Sequence, residues 1–395
     1  MAWRMARRRM AKFKCLMTSC LMCGFLLLGT ILFLHFRLPK DSILKINSLE
    51  SFSSPDTIED IFQNRKLSAH HACESHWALN LGTNVSAWSI FYDSRMSMVY
   101  CHVAKAGCTF WARVFNFLNQ TEWSRKFQSP FDIKRIDVHN RSLTPIRTWA
   151  EVKPQLPVTS KKLMFARDPY ARLWSVYLDK YYLPDFWERL EFSSNICHNN
   201  VTFTQFLAFA MTSDDNHMST VAAACNPCEF NPDFIGKMET FSRDAQEILK
   251  RFNYSWLLDG LDFVNFTVIE IESILSNYYQ LYRDNSLHKC LSQKDLSRRL
   301  WKVFQTNGHI RPTFLFPEDL DDYSEHKILT LLTKSVRSNP LREEDAIKQK
   351  RSYLIEAYSS VPVEYIKAIQ EKFRVDFEMF NYDVNPPKSI NSDVF

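Results

Sequence analysis

Between about residues 76 and 383, short apolar runs alternate with segments whose apolar residues recur every three or four positions. The first pattern is typical of strands, and the second is typical of helices with one buried face. Together they predict strands at 98–103, 162–166 and 234–236, and helices at 109–119, 169–181, 203–211, 243–252 and 364–373. Strands that alternate with helices in this way indicate an α/β domain.

Residues 15–36 form a 22-residue run without Asp, Glu, Lys or Arg. At about 1.5 Å per residue, a helix of this length spans the hydrocarbon core of a bilayer, about 30 Å thick. The preceding residues carry six basic side chains and no acidic one, at Arg4, Arg7, Arg8, Arg9, Lys12 and Lys14. A basic flank predicts that residues 1–14 stay cytoplasmic and that the chain after residue 36 is lumenal. A cleaved signal peptide is the alternative, but it usually has a shorter apolar region that ends at small residues.

Glycosylation sequons and cysteines favour the same topology. Six Asn-x-Ser/Thr sequons occur, at Asn84, Asn119, Asn140, Asn200, Asn253 and Asn265, and such sequons are modified in secretory compartments. Seven of the ten cysteines follow the apolar run, at Cys73, Cys101, Cys108, Cys197, Cys225, Cys228 and Cys290. Disulfides persist in that oxidising environment. An odd number leaves at least one thiol free or paired between chains.

The overall charge does not indicate a nucleic-acid partner. The chain has a net charge of +5, but its first 37 residues hold seven of the 49 basic residues and no acidic one. The remainder, with 42 basic and 44 acidic residues, is close to neutral, so any anion site must be a local cluster. Residues 37–75 are polar, Ser-rich and without sustained periodicity, which predicts a flexible stem before a catalytic domain at 76–395.

The segment YCHVAKAGCTFWARVF, residues 100–115, starts like a strand and ends like a helix. The connecting loop, 104–109, contains Lys105 and Gly107, and the whole chain has only seven Gly. Backbone N–H groups at a helix N-terminus bind anions, and a Lys adds a full charge. An ordinary turn with a surface Lys is the alternative interpretation. The loop lacks G-x-x-x-x-G-K-[ST], which argues against a Walker-type nucleotide triphosphatase.

A second strand-to-helix segment is KLMFARDPYARLWSVYLDKY, residues 162–181. Asp168 is a suitable N-cap, and Pro169 fits the first turn of a helix. Arg167 lies at the strand end, where ligands bind in open α/β sheets. Ser175 follows two turns into the helix, and its hydroxyl could approach an anion that is bound by the 104–109 loop and Arg167. A salt bridge for Arg167 and simple packing for Ser175 are the alternatives.

These two segments resemble the Golgi carbohydrate sulfotransferases of the group that includes the chondroitin and dermatan 4-O-sulfotransferases. VAKAGCTFWARV (103–114) is similar to the family's V-P-K-V-G-C-T-N-W-K-R-V, and RDPYARLWSVY (167–177) is similar to its R-D-P-F-E-R-L-x-S-x-Y. CNPCEFNPDFIGKMETFSRDAQEIL (225–249) and FRVDFEMFNYD (373–383) resemble two later blocks. The chain departs from the family pattern at four positions, Ala104, Phe110, Ala112 and Met218, and the acceptor stays open.

The resemblance implies a three-layer, P-loop-like α/β fold with a central parallel sheet. It implies transfer of a sulfuryl group from PAPS (3′-phosphoadenosine 5′-phosphosulfate) to a glycan hydroxyl, with release of 3′,5′-ADP and without a metal. The 5′-phosphosulfate would be held by Lys105, Ala106, Gly107, Cys108, Thr109 and Phe110, with Lys105 also catalytic. Arg167 and Ser175 would hold the 3′-phosphate.

A general base must take the proton of the acceptor hydroxyl. His217 is the first candidate, because its neighbourhood resembles that of a family His before the CNPC segment. His102 and Glu239 are rivals, and a structural role is an equal alternative for all three. The resemblance also implies a single-pass type II protein of the Golgi membrane with a glycan or proteoglycan acceptor and no nucleic-acid partner. It leaves a homodimer open.

Other motifs suggest competing functions. Asp319 and Asp321 resemble the metal-binding D-x-D of Golgi glycosyltransferases, which is the alternative enzyme class. An inactive membrane glycoprotein with this fold is a third hypothesis, although Lys105, Arg167 and Ser175 together argue against it. Cys225 and Cys228 have C-x-x-C spacing without a second metal-site pair, so we expect disulfides with unspecified partners. A last set of basic residues, 334–337 with Lys348, Lys350 and Arg351, is interpreted mainly as solvated surface charge.

Overall fold

The computed structural model describes residues 57–75, 89–93, 95–139, 146–187, 197, 201–284 and 286–388. Within these ranges, no helix is both long and apolar enough to cross a membrane. The predicted cytoplasmic tail and membrane span lie outside the described residues, as do the sequons at Asn84, Asn140 and Asn200.

A four-stranded sheet organises the domain, with strands in the order β1 (Ile90–Asp93), β2 (Met98–Cys101), β3 (Lys161–Ala166) and β4 (Phe234–Lys237). β2, β3 and β4 are parallel, with Tyr100 opposite Leu163 and Met164 opposite Ile235. β1 was not predicted, and it pairs with β2 in the antiparallel direction. The sheet is therefore mixed, which corrects the expectation of a parallel sheet.

Helices cover both faces of this sheet. On one face, the Tyr100 ring lies 5.8 Å from that of Trp111, and the Phe165 ring lies 5.2 Å from that of Phe241. Successive side chains of a strand point to opposite faces, and on the opposite face Cys101 is disulfide-bonded to Cys225. These contacts place helices on either side of the strands, so the domain has the expected three layers.

Each predicted strand and helix is present, with ends that differ by one or two residues. The corresponding helices are Cys108–Asn119, Pro169–Val176 with a π-helical turn Tyr177–Tyr182, Phe203–Thr212, Phe241–Arg251 and Val363–Lys372. Short helices that were not predicted occupy Arg135–Val138, Trp149–Val152, Val221–Cys225 and Pro227–Phe230.

A helical lobe with its own apolar core accounts for most of the remaining chain. Its unpredicted helices are Phe263–Asp284, Gln293–Thr306, Glu325–Ser338, Glu343–Ser359 and Arg374–Met379. Tyr278, Leu300 and Trp301 are among the fully buried side chains of this second core. The domain therefore contains two clusters of buried apolar side chains, one around the sheet and one in the lobe.

The segment before the sheet is ordered. Residues Ile58–Ser75 form a helix that buries Phe62, Ala69 and Ala72. Arg65 of this helix donates to the carboxylate of Asp244 (2.6 Å) and to the carbonyl of Ile235 (3.0 Å). The Ile235 carbonyl belongs to the edge strand β4, so the helix covers an edge that would otherwise be open. The prediction of a flexible stem is therefore wrong for residues 58–75, whereas residues 37–56 lie outside the described ranges.

Three disulfides link segments that are far apart in the sequence. They join Cys73 to Cys228, Cys101 to Cys225 and Cys197 to Cys290. The expectation that Cys225 and Cys228 form disulfides is confirmed, and each bonds to a distant partner. Among the described residues, Cys108 is the free thiol left by the odd number.

The ordered helix gives a test of the domain boundary. A chain shortened to begin at residue 76, the predicted boundary, lacks the 58–75 helix and its disulfide. We expect it to unfold at a lower urea concentration than a chain that begins at residue 57, because loss of a native disulfide alone costs about 2–5 kcal/mol. Tryptophan fluorescence during urea unfolding measures the difference.

A chain that begins at residue 57 and carries Cys73→Ser and Cys228→Ser is the matched control, since it keeps the helix and loses only the bond. Equal unfolding midpoints for the chains that begin at 57 and 76 would show that the helix is dispensable.

Candidate functional site

A cleft of about 2340 Å³ opens where β2 and β3 end. The two parallel strands lead into the segments that begin at residues 102 and 167, and both segments line the cleft. Ligand sites of open α/β sheets lie at the carboxyl ends of parallel strands. The cleft also reaches the helical lobe, whose contribution includes Glu270, Lys350 and Arg351.

The loop after β2 has an unusual backbone. Lys105 and Gly107 both have positive φ, 67° and 75°. A Cβ atom at Gly107 would lie 2.6 Å from the Phe241 ring, so glycine is required there for space as well as for conformation. Gly107 caps the 108–119 helix without a side-chain hydrogen bond. The first N–H groups of that helix are therefore available to an anion.

The segment after β3 contacts this loop directly. The Arg167 guanidinium donates to the carbonyl oxygen of Lys105 at 3.1 Å. Asp168 caps the next helix as predicted, since its carboxylate accepts from the N–H of Ala171 at 2.8 Å. Ser175 lines the same cleft, two turns into that helix. The structure thus brings Lys105, Arg167 and Ser175 together around one space.

A buried carboxylate lies beneath the loop. Asp179 accepts from the Lys105 ammonium at 2.5 Å and from the Arg135 guanidinium at 2.8 Å through each oxygen. The Tyr278 hydroxyl donates to the same carboxylate at 2.8 Å, and the Lys180 ammonium lies 3.7 Å from it. Burial alone would raise the pKa of Asp179, but the charges of Arg135 and Lys105 outweigh burial and hold it well below its usual range.

Burial and the neighbouring charges also shift the pKa of Lys105. Burial lowers the pKa of Lys105 to about 8, helped by the charges of Arg135 and Lys180, although Asp179 acts in the opposite direction. An ammonium group has three N–H donors, and the Asp179 carboxylate accepts from only some of them. Lys105 is therefore oriented by Asp179 while it keeps donor capacity toward the cleft.

Arg172 connects the loop after β2 (residues 104–109) to the turn that carries His217. This side chain is 1% exposed. It donates to the carbonyl of Ala104 at 2.9 Å and to that of Asn216 at 3.2 Å, and it also contacts the Ser219 carbonyl. The loop before Lys105 and the turn that carries His217 are therefore held by one guanidinium.

The three candidate bases differ in their surroundings. His217 lines the cleft, and its Nδ1 lies 2.8 Å from an oxygen of Asp215. A carboxylate at Nδ1 favours the tautomer that leaves Nε2 unprotonated, which is the arrangement of a general base. Both oxygens of Glu239 are already engaged, by the N–H of Asp168 and the hydroxyl of Tyr382, each at 3.0 Å. His102 also lines the cleft, with its ring 6.4 Å from that of His139.

Several residues singled out in the sequence lie elsewhere. Ala106 is buried outside the cleft lining, and its N–H donates to the carbonyl of Val103 at 3.2 Å. Asp319 and Asp321 are exposed and do not line the cleft. Of the basic residues interpreted as surface charge, Lys350 and Arg351 line the cleft, whereas Lys348 does not.

The sequence-based interpretation missed Asp179, Arg135 and His139. Asp179 had a usable signal, because it follows Ser175 by four residues and so lies on the same face of a helix. Arg135 and His139 had none, since they belong to a four-residue helix and the residue after it. The Thr109 hydroxyl lies 3.1 Å from Nε2 of His139. Burial, followed by the charge of Arg135, lowers the pKa of His139 well below its usual value.

Comparisons with a family model and with curated proteins all identify sulfotransferases. A model described as the sulfotransferase family matches residues 88–307, which include the strand-to-helix segments 100–115 and 162–181. Carbohydrate sulfotransferase 12 of Xenopus laevis is 30% identical over 206 residues, 42% of this chain and 49% of that protein. Carbohydrate sulfotransferase 9 of Homo sapiens is 30% identical over 198 residues, 45% of this chain and 43% of that protein.

A further relative is carbohydrate sulfotransferase 8 of Mus musculus, 28% identical over 238 residues, 52% of this chain and 56% of that protein. The chain thus spans about half the length of the curated relatives that it matches. No solved structure matches the chain.

The buried carboxylate gives a stability test. Asp179→Asn would leave the clustered ammonium and guanidinium groups without their counter-charge. We expect a loss of about 3–5 kcal/mol in the free energy of unfolding at neutral pH, the usual cost of breaking a buried ion pair from one side. Urea unfolding measures this loss, and Asp319→Asn on the exposed loop is the control, expected within about 0.5 kcal/mol of the unmodified protein.

The pH dependence has a defined sign. Because the pKa of Asp179 in the folded protein lies below its unfolded value, its stabilisation is present above the unfolded pKa and is lost as pH falls through the folded pKa. The gap between the unmodified protein and Asp179→Asn should therefore persist at neutral pH and close only in acid. Equal stability at pH 7 would contradict this assignment.

Proposed function

The chain belongs to the sulfotransferase family, and we propose that it transfers a sulfuryl group from PAPS to a hydroxyl of a glycan, releasing 3′,5′-ADP. The observation that carries this proposal is the contact between Arg167 and the carbonyl of Lys105 at the ends of β2 and β3. It joins the two segments that resemble the 5′-phosphosulfate and 3′-phosphate sites of carbohydrate sulfotransferases.

Different residues of the cleft would bind the two charged ends of PAPS. The N–H groups of Cys108, Thr109 and Phe110 at the helix N-terminus, with the Lys105 ammonium, suit the 5′-phosphosulfate. The Arg167 guanidinium and the Ser175 hydroxyl suit the 3′-phosphate, because charged donors make the stronger hydrogen bonds to phosphate oxygens. Protein cations alone would neutralise the donor, and we propose a reaction without a metal.

The proposed reaction exchanges one bond to sulfur for another. The oxygen of the acceptor hydroxyl forms a bond to sulfur while the bond between sulfur and the bridging phosphate oxygen breaks. Negative charge builds up on the bridging oxygen, which leaves as part of 3′,5′-ADP, and Lys105 is placed to stabilise it. Nε2 of His217 would take the hydroxyl proton, with Asp215 holding the ring.

The relatives suggest the acceptor class and the compartment. Their names describe carbohydrate sulfotransferases, and a glycan or proteoglycan acceptor is our proposal for this chain. The basic flank, the apolar run and the sequons support a type II protein of the Golgi membrane with a lumenal catalytic domain. Of the sequons, Asn253 is exposed, whereas the side chain of Asn265 donates to the carbonyl of Gly260 at 3.2 Å.

Two substitutions test the donor site. Arg167→Ala should weaken binding of 3′,5′-ADP by about 2–5 kcal/mol, because it removes the partner of a charged phosphate that PAPS and the product share. Lys105→Ala should lower kcat by roughly 10²–10³-fold, as expected for loss of a donor to developing charge. It should reduce 3′,5′-ADP affinity less than Arg167→Ala does. Calorimetric titration and transfer from labelled PAPS to a glycan panel measure these effects.

The controls for this experiment separate enzyme classes. A chelator such as EDTA, or replacement of both Asp319 and Asp321 by Asn, should leave PAPS-dependent transfer largely intact. Manganese-dependent turnover of a nucleotide sugar would favour the glycosyltransferase alternative. Normal turnover by Lys105→Ala would exclude the loop as the transfer site.

The pKa of Lys105 predicts the alkaline limit of activity. Lys105 must be protonated to stabilise the leaving oxygen, and its pKa of about 8 means that the charge is lost as pH rises through that value. We expect kcat/KM for PAPS to fall above about pH 8. The alkaline fall in kcat should occur at higher pH than the fall in kcat/KM, because the negative charge of bound PAPS favours the ammonium form of Lys105.

Lys105→Arg is the matched variant for the pH profile, since guanidinium remains charged throughout this range. Whatever its absolute rate, the alkaline fall of its kcat at saturating PAPS should disappear or move to higher pH. The parameter to compare is kcat at saturating PAPS, because Lys350 in the free enzyme also has a pKa of about 8 and contributes to kcat/KM. An unchanged fall in kcat would assign the ionisation to another group.

A further inference from the structure

The cations that line the cleft fall into two groups. Lys105 and Arg135 are held by Asp179, and Lys180 contacts Asp185. Within the described part of the chain, no carboxylate lies at ion-pair distance from five other cations of the lining, Arg167, Lys350, Arg351, Lys372 and Lys388. Lys372 donates instead to the carbonyls of Ala210 and Ser213. From beyond ion-pair distance, Glu239 and Asp168 favour the charged form of Arg167, and Glu343 and Glu270 favour that of Lys350. An anion from outside the protein would give these like charges a direct partner.

One face of a single helix supplies Lys350. The cleft is lined by residues of the Glu343–Ser359 helix that recur at helical spacing, at Glu343, Ala346, Ile347, Lys350, Arg351 and Leu354. Lys348 belongs to the same helix and lies outside this lining. The side chain of Lys350 is thus turned toward the cleft by the phase of the helix.

Four contacts fix this helix against the domain. The Ser242 hydroxyl donates to Glu343 at 2.8 Å, and the Gln349 amide donates to the carbonyl of Ile310 at 2.8 Å. Gly308, with a φ of 68°, approaches Ala346 so closely that a Cβ would lie 2.7 Å from the Ala346 carbonyl oxygen. The Tyr358 hydroxyl donates to the carbonyl of Tyr170 at 3.0 Å, in the helix that follows Arg167. Lys350 is therefore held on a rigid element.

Lys350 and Arg167 interact electrostatically. Although Lys350 is exposed to the cleft, the surrounding walls desolvate its ammonium, and burial followed by the charge of Arg167 lowers its pKa to about 8. Glu343 and Glu270 act in the opposite direction from farther away. A bound phosphate near both cations would relieve their repulsion and restore the full charge on Lys350.

We infer that Lys350 completes the site of the nucleotide's 3′-phosphate with Arg167, and that it strengthens the preference for a nucleotide that carries this phosphate. This inference rests on the proposed function and adds a residue from the helical lobe to the site assigned to the two strand-end segments. A phosphate dianion facing two cations gains far more than one facing a single cation, whereas a nucleotide without the 3′-phosphate gains nothing from Lys350. Lys350 is thus a specificity-determining residue.

Calorimetric titration of 3′,5′-ADP and of 5′-AMP into the full-length protein tests the inference. Lys350→Ala should weaken 3′,5′-ADP binding by about 10–100-fold, the scale of a lost hydrogen bond to a charged group, and leave 5′-AMP binding unchanged. Lys350→Arg should restore most of the preference. Lys348→Ala, a matched loss of charge on the same helix, should behave like the unmodified protein.

The outcomes separate this inference from the proposed function. If the unmodified protein binds 3′,5′-ADP no better than 5′-AMP, the proposed PAPS site itself fails. If the unmodified protein prefers 3′,5′-ADP and Lys350→Ala keeps that preference in full, the role of Lys350 is overturned. A Lys350→Ala variant with normal nucleotide binding but a raised KM for the glycan would overturn it in favour of an acceptor site. Thermal unfolding of each variant checks that the fold is intact.

Discussion

Asp179 forms the interaction on which the proposed catalytic arrangement depends. Its carboxylate is buried among Lys105, Arg135 and Lys180, which would repel one another in its absence. The π-helical turn at Tyr177–Tyr182 carries this carboxylate beneath the donor loop. π-Helical turns within helices often mark functional sites. The Asp179 carboxylate thus allows several cations to lie close together at the ends of β2 and β3. It also orients the ammonium of Lys105, a residue whose backbone has a positive φ.

Arg172 extends this arrangement to the acceptor side. Because its guanidinium donates to carbonyl groups of both Ala104 and Asn216, a shift of the donor loop is transmitted to the turn beside His217. Positioning of two reactants within a fraction of an ångström is a large part of catalysis. Arg172 is nearly fully buried, so in the proposed reaction it would act through the backbone it holds.

The parts of the fold that the sequence predicts well are those with local signals. The donor segments have a clear change from strand to helical periodicity, and Asp168 has the expected capping role. The 58–75 helix had a local signal that was overlooked, since Thr57 and Asp60 form reciprocal capping hydrogen bonds. β1 was missed because its turn places Ser97 rather than Gly or Asn at positive φ.

The helices of the lobe differ in their local signals. Gln293–Thr306 was missed although Ser292 and Asp295 form a capping box at its start. The Phe263–Asp284 helix is rich in β-branched and aromatic residues, which have modest helix propensity, so burial in the lobe rather than local preference stabilises it. Lys350 shows the same limit for function. Its charge is visible in the sequence, but its place in the cleft lining depends on how Gly308, Ile310 and Tyr170 position the helix.

The pairing of cysteines constrains the order of events during biosynthesis. Cys73 and Cys101 emerge from the ribosome well before their partners, Cys228 and Cys225, which follow them by 155 and 124 positions in the sequence. At roughly 5–20 residues per second, Cys73 waits about 8–30 s for Cys228 to be synthesised. Cys108 is also present during this interval. A bond formed between these amino-terminal thiols during the interval would have to be exchanged before the pairs seen in the structure could form. The arrival of CNPC makes both of those bonds available almost at once.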